Sequence, residues 1–163
     1  MSLRSVLKRW FELIGEADFW RRVAFSSLRI AEGLAWGMLA GALLGASEVL
    51  GVEIDPDAVA IAGENIALNH VERIASAQYG DLTKGIDFQA DVIVANLMAD
   101  LVVTLSKDVA RHLLPGGRYI SSGILVEKMP EVVDAMRALG FAIMEVKEDA
   151  CGARLWPSVR RGI

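Results

Sequence analysis

The stretch Val49 to Val71, VLGVEIDPDAVAIAGENIALNHV, constrains this chain most. Val49 to Ile54 is short, apolar and β-branched, the character of a strand buried in a parallel sheet. It closes on two acids, Glu53 and Asp55. Asp55 stands directly before Pro56, which suits a helix N-cap followed by proline at the first helical position. Val59, Ala62, Gly63 and Ile66 then recur at helical spacing and form one apolar face. A doubly wound sheet holds the ribose of a nucleotide-like ligand with an acid at the carboxyl end of such a strand. A carboxylate suits that task because it accepts hydrogen bonds from both ribose hydroxyls. Glu53 takes this role, against the plainer alternative of a solvated strand end. For Asp55, capping is explanation enough.

The same alternation runs through most of the chain. Val23 to Ile30 reads as a first strand, and Gly33 to Ala46 is an uncharged run with Gly33, Gly37, Gly41 and Gly45 at every fourth residue. Such a small-residue face serves close helix contacts in membranes. This run, flanked by Glu32 and Glu48, is too short to span a bilayer, so the expectation is a buried helix lying by its glycine face on the sheet. Arg73 to Tyr79, Asp91 to Ala95, Arg118 to Ser122 and Phe141 to Val146 read as further strands. Leu101, Val102, Leu105, Val109 and Leu113 mark one helix, and Pro130 to Leu139 is another, closed by Gly140. Pro115-Gly116-Gly117 reads as a turn. The tail from Lys147 to Ile163 lacks clean alternation and reads as a poor strand.

Strands alternating with helices demand an α/β fold: a doubly wound, mostly parallel, Rossmann-like sheet with helices on both faces. The expected organisation is an N-terminal segment, residues 1–22, followed by a single domain over residues 23–163. Within the first segment, Ser2 to Ile14 has the pattern of an amphipathic helix, with Leu3, Leu7, Trp10, Phe11 and Ile14 on one side. Glu53, Asp81 and Asn96 all fall at expected carboxyl ends of strands, the edge where ligands bind in such sheets.

Composition removes several function classes. The 163 residues suit one domain, and 53% hydrophobic content is ample for a core. A net charge of -4 offers no basic field for nucleic acid. His70 and His112 are the two histidines, and neither has a cysteine or second histidine nearby, so no metal site is expected. Both suit helix ends or the surface. The single cysteine, Cys151, fits a reducing compartment and hence the cytoplasm. The Gly-x-Gly-x-x-Gly fingerprint of dehydrogenases is missing after the first strand.

With these residues in place, the chain resembles the class I methyltransferases that use S-adenosyl-L-methionine. Within them it looks most like the PrmA-type ribosomal-protein methyltransferases. The resemblance runs from about Gly45 to Val146, through GASEVLGVEIDPDAVAIAGENIALN, DVIVANLMADLVVTL and LLPGGRYISSGIL. It implies that Glu53 holds the cofactor ribose, that Asp81 lies beside the adenine, and that Asn96 sits by the methyl group and the incoming nucleophile. Asp81 reads equally well as a turn residue after Gly80, and Asn96 has a helix N-cap as its alternative. Asparagine suits the nucleophile because it offers an acceptor and two donors without adding charge. The family's glycine-rich loop falls at RIAEGLA, Arg29 to Ala35, where Gly33 is the one matching glycine. The implied function is methyl transfer to amino groups of a protein such as a ribosomal protein, by attack of a neutral amine. That reaction depends on positioning and water exclusion and requires no catalytic dyad. The alternative is a non-catalytic relative, a binding or assembly module that keeps the sheet without the glycine loop. The family's enzymes also carry a separate substrate-recruiting domain, for which this chain has no room. No nucleic acid or membrane partner is expected.

Overall fold

Apolar strands that alternate with helices through most of the chain build a parallel sheet whose crossovers cover both faces. The computed structural model describes residues 22–27, 31–149 and 152–159. The expected Ser2 to Ile14 helix and Cys151 lie outside the described residues. In chain order the elements are β1 (Arg22–Ser27), α1 (Ala31–Leu43), β2 (Glu48–Glu53), α2 (Pro56–Leu68), β3 (Ala75–Tyr79), β4 (Ala90–Asn96) and α3 (Ala99–His112). There follow β5 (Leu113–Ile124), a 3-10 turn (Val126–Lys128), α4 (Met129–Ala138), β6 (Phe141–Asp149) and β7 (Gly152–Val159). The seven strands form one sheet in the order β3-β2-β1-β4-β5-β7-β6. The pairs β1–β2, β1–β4, β2–β3 and β4–β5 are parallel, and β7 runs antiparallel to both β5 and β6.

Strand pleating sorts the core into two layers. On β4, Val92 and Val94 face one cluster with Leu34, Met38, Leu39 and Ala42 of α1 and Ala62 and Ile66 of α2. Ile93 and Ala95 face the other, with Val102, Leu105 and Val109 of α3 and Val132 and Met136 of α4. A period of two on the strand thus meets a period of 3.6 on each helix. His112 ends α3, and its Nδ1 lies 3.0 Å from the carbonyl of Phe88. His70 is exposed just past the end of α2. Both histidines are therefore helix-end residues, as their sequence setting suggests.

The uncharged run is a helix, α1, packed on the sheet, and three of its four glycines lie within it. Gly45 lies beyond the helix, in a left-handed turn with φ 98°. There Gly45 N donates to Ala42 O and Ala46 N to Gly41 O, which satisfies the last carbonyls. Gly41 is buried. A glycine in the strand supports the close approach of helix to sheet. A Cβ added at Gly51 of β2 would fall 2.2 Å from Met38 Sδ and 3.2 Å from Leu34 Cδ1. Among the described residues no helix is long and apolar enough to cross a membrane.

The tail is the main correction. Gly152–Val159, expected to be a poor strand, is β7, inserted between β5 and β6. Its irregular sequence is accommodated by shifted register. Pro157, opposite Ile143, sits where the β6–β7 pairing slips before Glu145 meets Trp156. Proline is tolerated in a sheet at such an irregularity, since it has no N–H for the ladder.

Two stability effects follow. The α2 end closes like that of α1, with His70 N bonded to Ala67 O and Val71 N to Ile66 O, but the left-handed residue is His70, at φ 55°. His70→Gly is expected to stabilise the chain by about 0.5–1 kcal/mol in urea unfolding, because glycine adopts this conformation without a Cβ clash. Gly51→Ala is expected to cost about 1–3 kcal/mol by overpacking Met38. Adding Met38→Ala should cost less than the sum of the two single changes, and a double-mutant cycle measures that coupling.

Candidate active site at the carboxyl edge of the sheet

The strand order reverses at β1. The chain moves from β1 to β2 and β3 on one side, then crosses to β4 and β5 on the other. Such a switch point leaves a crevice above the strand ends, because neighbouring crossovers leave on opposite faces. The register brings the polar strand ends level. Ser27 pairs with Asn96, Asn96 with Ser122, and Glu53 with Tyr79. Glu53 and Asn96 end the two strands flanking β1, two strand spacings or about 10 Å apart across the sheet.

Glu53 is the last residue of β2 and only 2% exposed. Its Oε1 accepts from the backbone N–H of Ile54 at 2.8 Å and of Asp55 at 3.3 Å. Its Oε2 is buried without a hydrogen-bond partner among the described residues. A solvated strand end is therefore the wrong description. Leaving a carboxylate oxygen buried and unpaired is costly. A pair of ligand hydroxyls would remove that cost, so the residue fits a ribose. Asp55 is the cap of α2: its Oδ1 accepts from Asp57 N at 2.9 Å, with Pro56 at the first helical position.

Asn96 ends β4 and is half-buried. The N-cap of α3 is Met98, which makes no side-chain capping bond, so the capping alternative for Asn96 falls away. Instead Asn96 Oδ1 accepts from Ser122 Oγ at 3.2 Å. Leu97 N donates to Ser122 O at 3.0 Å, which ties the segment after β4 to the end of β5. Met98 is exposed beside it, as are Leu125 and Val126 after β5. Asp81 opens a turn closed by Lys84 N to Asp81 O at 3.1 Å. Its carboxylate also accepts from Lys84 Nζ, and that bond holds the Lys84 ammonium above the ordinary lysine range. Asp81 therefore has a cation beside it already.

Gly33 lies where the uncharged run predicts a helix, and not where the resemblance puts the glycine loop. It lies inside α1, the third residue of Ala31–Leu43, and not in a loop. Ala-Glu-Gly-Leu-Ala contains no helix breaker but the glycine itself, and the neighbours are strong helix formers. Only residues 28–30 separate β1 from α1. Sequence reading missed Ser122 and Gly123, which the fold sets against Asn96. The visible signal was their place in SSGIL, directly after an expected strand.

The fold agrees with three comparisons. A family model described as ribosomal protein L11 methyltransferase (PrmA) matches residues 34–155. The chain is similar to a protein of Heliobacterium modesticaldum named ribosomal protein L11 methyltransferase. The two are 45% identical over 108 residues, covering 66% of this chain and 34% of that protein. The chain thus spans about a third of the length of that curated relative. The crystal structure of a ribosomal protein L11 methylase from Lactobacillus delbrueckii superposes with a TM-score of 0.81 at 26% identity, over 97% of this chain and 77% of that one. An RNA methyltransferase from Salinibacter ruber, solved with S-adenosyl-L-homocysteine, shares the fold at TM-score 0.70 and 21% identity, covering 100% of this chain and 95% of that one.

The two acids of β2 and α2 should separate experimentally. Asp55→Ala is expected to lower unfolding stability by about 1 kcal/mol, the usual worth of an N-cap. The urea midpoint reports it, and a midpoint equal to the parent's would remove the capping role.

Proposed function

The chain belongs to the ribosomal protein L11 methyltransferase (PrmA) family, and from this we propose that it forms the S-adenosyl-L-methionine site of an enzyme that methylates amino groups of a protein such as ribosomal protein L11. The observation that carries the reading is Glu53: a buried carboxylate at the switch-point edge with one oxygen anchored by backbone and the other unpaired among the described residues.

In this reading Glu53 Oε2 accepts from the ribose hydroxyls of the cofactor. Ile54, exposed directly after it, offers an apolar surface beside the base. Asp81 stands at the same edge, beside the adenine, and shares its carboxylate with Lys84. Gly33 contributes through the first turn of α1, whose positive dipole end favours a carboxylate. S-adenosyl-L-methionine, when bound, supplies a methyl group on a positively charged sulfur. Asn96 then orients the acceptor: its Oδ1 has a second lone pair for an amine N–H beyond the one used by Ser122. A neutral amine needs little acid-base help, so the residues work by holding geometry and excluding water. The apolar side chains of Met98, Leu125 and Val126 around the Asn96 edge suit the methylene arm of a lysine. The reaction would run in the cytoplasm, where ribosomal proteins are made. With a net charge of -4 the contact is to protein and not directly to nucleic acid.

Calorimetry with S-adenosyl-L-homocysteine tests the reading. Binding is expected in the parent, and Glu53→Ala should lose about 1.5–3 kcal/mol, a tenfold or larger rise in Kd, as for a hydrogen bond to a charged group. No heat and no thermal shift at millimolar ligand would overturn cofactor binding and favour a non-catalytic module.

A further inference from the structure

We infer that Ser122 and Gly123 are positioning residues that hold the Asn96 amide in one orientation. The inference rests on the reading of Asn96 as the group that receives the acceptor amine. Asn96 lies at the end of β4, and Ser122 pairs with it across the sheet from β5. Three observations converge on the same amide. Ser122 Oγ donates to Asn96 Oδ1 at 3.2 Å. Ser122 O accepts from Leu97 N at 3.0 Å, so the backbone on either side of that side-chain bond is fixed as well. Gly123 stands at φ 82°, and a Cβ there would fall 2.6 Å from Asn96 Oδ1 and 3.3 Å from Leu97 O.

The physical content is a choice between amide orientations. An asparagine at a strand end has a broad terminal torsion and two ends of similar shape, one an acceptor and one a donor. A hydroxyl on β5 can donate to the oxygen end or accept from the NH2 end. In the structure Ser122 donates to Oδ1, and that bond ties the amide to β5 with its oxygen inward. Gly123 leaves Oδ1 the room to lie there. Any side chain at residue 123 would meet the amide oxygen at a distance real Cβ atoms do not tolerate, in a backbone conformation that L side chains rarely adopt. One lone pair of Oδ1 is then taken by Ser122, and the remaining one is fixed in direction. An amine attacking a methyl group must be aligned closely, so a loose amide would lower the rate more than the affinity.

The test uses the 163-residue chain with S-adenosyl-L-methionine and purified ribosomal protein L11 as acceptor. Ser122→Ala is expected to lower kcat roughly tenfold, with KM for S-adenosyl-L-methionine changed by less than about twofold. Ser122→Thr keeps the hydroxyl and should restore kcat to within about twofold of the parent. A second readout needs no turnover. In the ligand-free chain, the Asn96 side-chain NH2 resonances, assigned by their loss in Asn96→Asp, should shift and broaden in Ser122→Ala and return in Ser122→Thr. Gly123→Ala should displace the same resonances. If that variant does not fold, Ser122→Ala decides alone, because Ser122 is half-buried and outside both core clusters. Unchanged Asn96 resonances in Ser122→Ala, or a rate loss that threonine does not rescue, would overturn the inference. A parent chain that transfers no methyl group would count against the proposed function instead, and the resonances would still decide the positioning role.

Discussion

Parallel pairing of β1 with both β2 and β4 is the constraint on which the rest depends. Because β1 is central, the chain must leave it in one direction and return to its other side. Every crossover in a parallel sheet has to climb over a face, and its handedness is fixed. This places α1 and α2 over one face and α3 and α4 over the other, as the two separate core clusters record. It also opens the crevice above β1. The residues that end β2 and β4 must then flank that crevice, whatever they are. Glu53 and Asn96 occupy those positions, and the ladder register keeps them level.

The edge shows a division of labour between buried backbone and side chains. Glu53 spends one oxygen on the two N–H groups that lead into α2, and its other oxygen has no donor among the described residues. Asn96 has its oxygen held from the neighbouring strand. Both groups carry polar atoms at a place where the sheet ends and solvent begins. A folded chain tolerates such a group where a ligand or a partner side chain satisfies it. The tight packing behind this edge keeps it in place. Met38 fills the space that Gly51 leaves open, and fully buried Val49 and Val92 lie in the same core cluster on the two strands that flank β1. A site that depends on sub-ångström alignment requires a rigid sheet beneath it.

The far edge of the sheet follows a different logic. β7 gains its order from two neighbours, β5 and β6, and from almost nothing in its own sequence. Gly152 and Pro157 are poor strand formers, yet paired neighbours on both sides override weak local preference. The register slips in both ladders are where that conflict is absorbed. Pro157 falls at one of them.

The sequence by itself determined the alternation of strands and helices, the acid at the end of β2, the Asp55 cap and the polar end of β4. All of these are local: hydrophobic period and a proline after an acid set them within a few residues. The family resemblance rested on the same local stretches. What tertiary structure alone decided has a common physical cause, contact between residues far apart in the chain. Ser122 meets Asn96 across 26 positions, so no spacing rule links them. The unpaired state of Glu53 Oε2 depends on burial by the whole edge, not on the residues beside it. The final strand lies between β5 and β6, where Arg118 pairs with Ser158 and Ser121 with Leu155 across long separations in the chain.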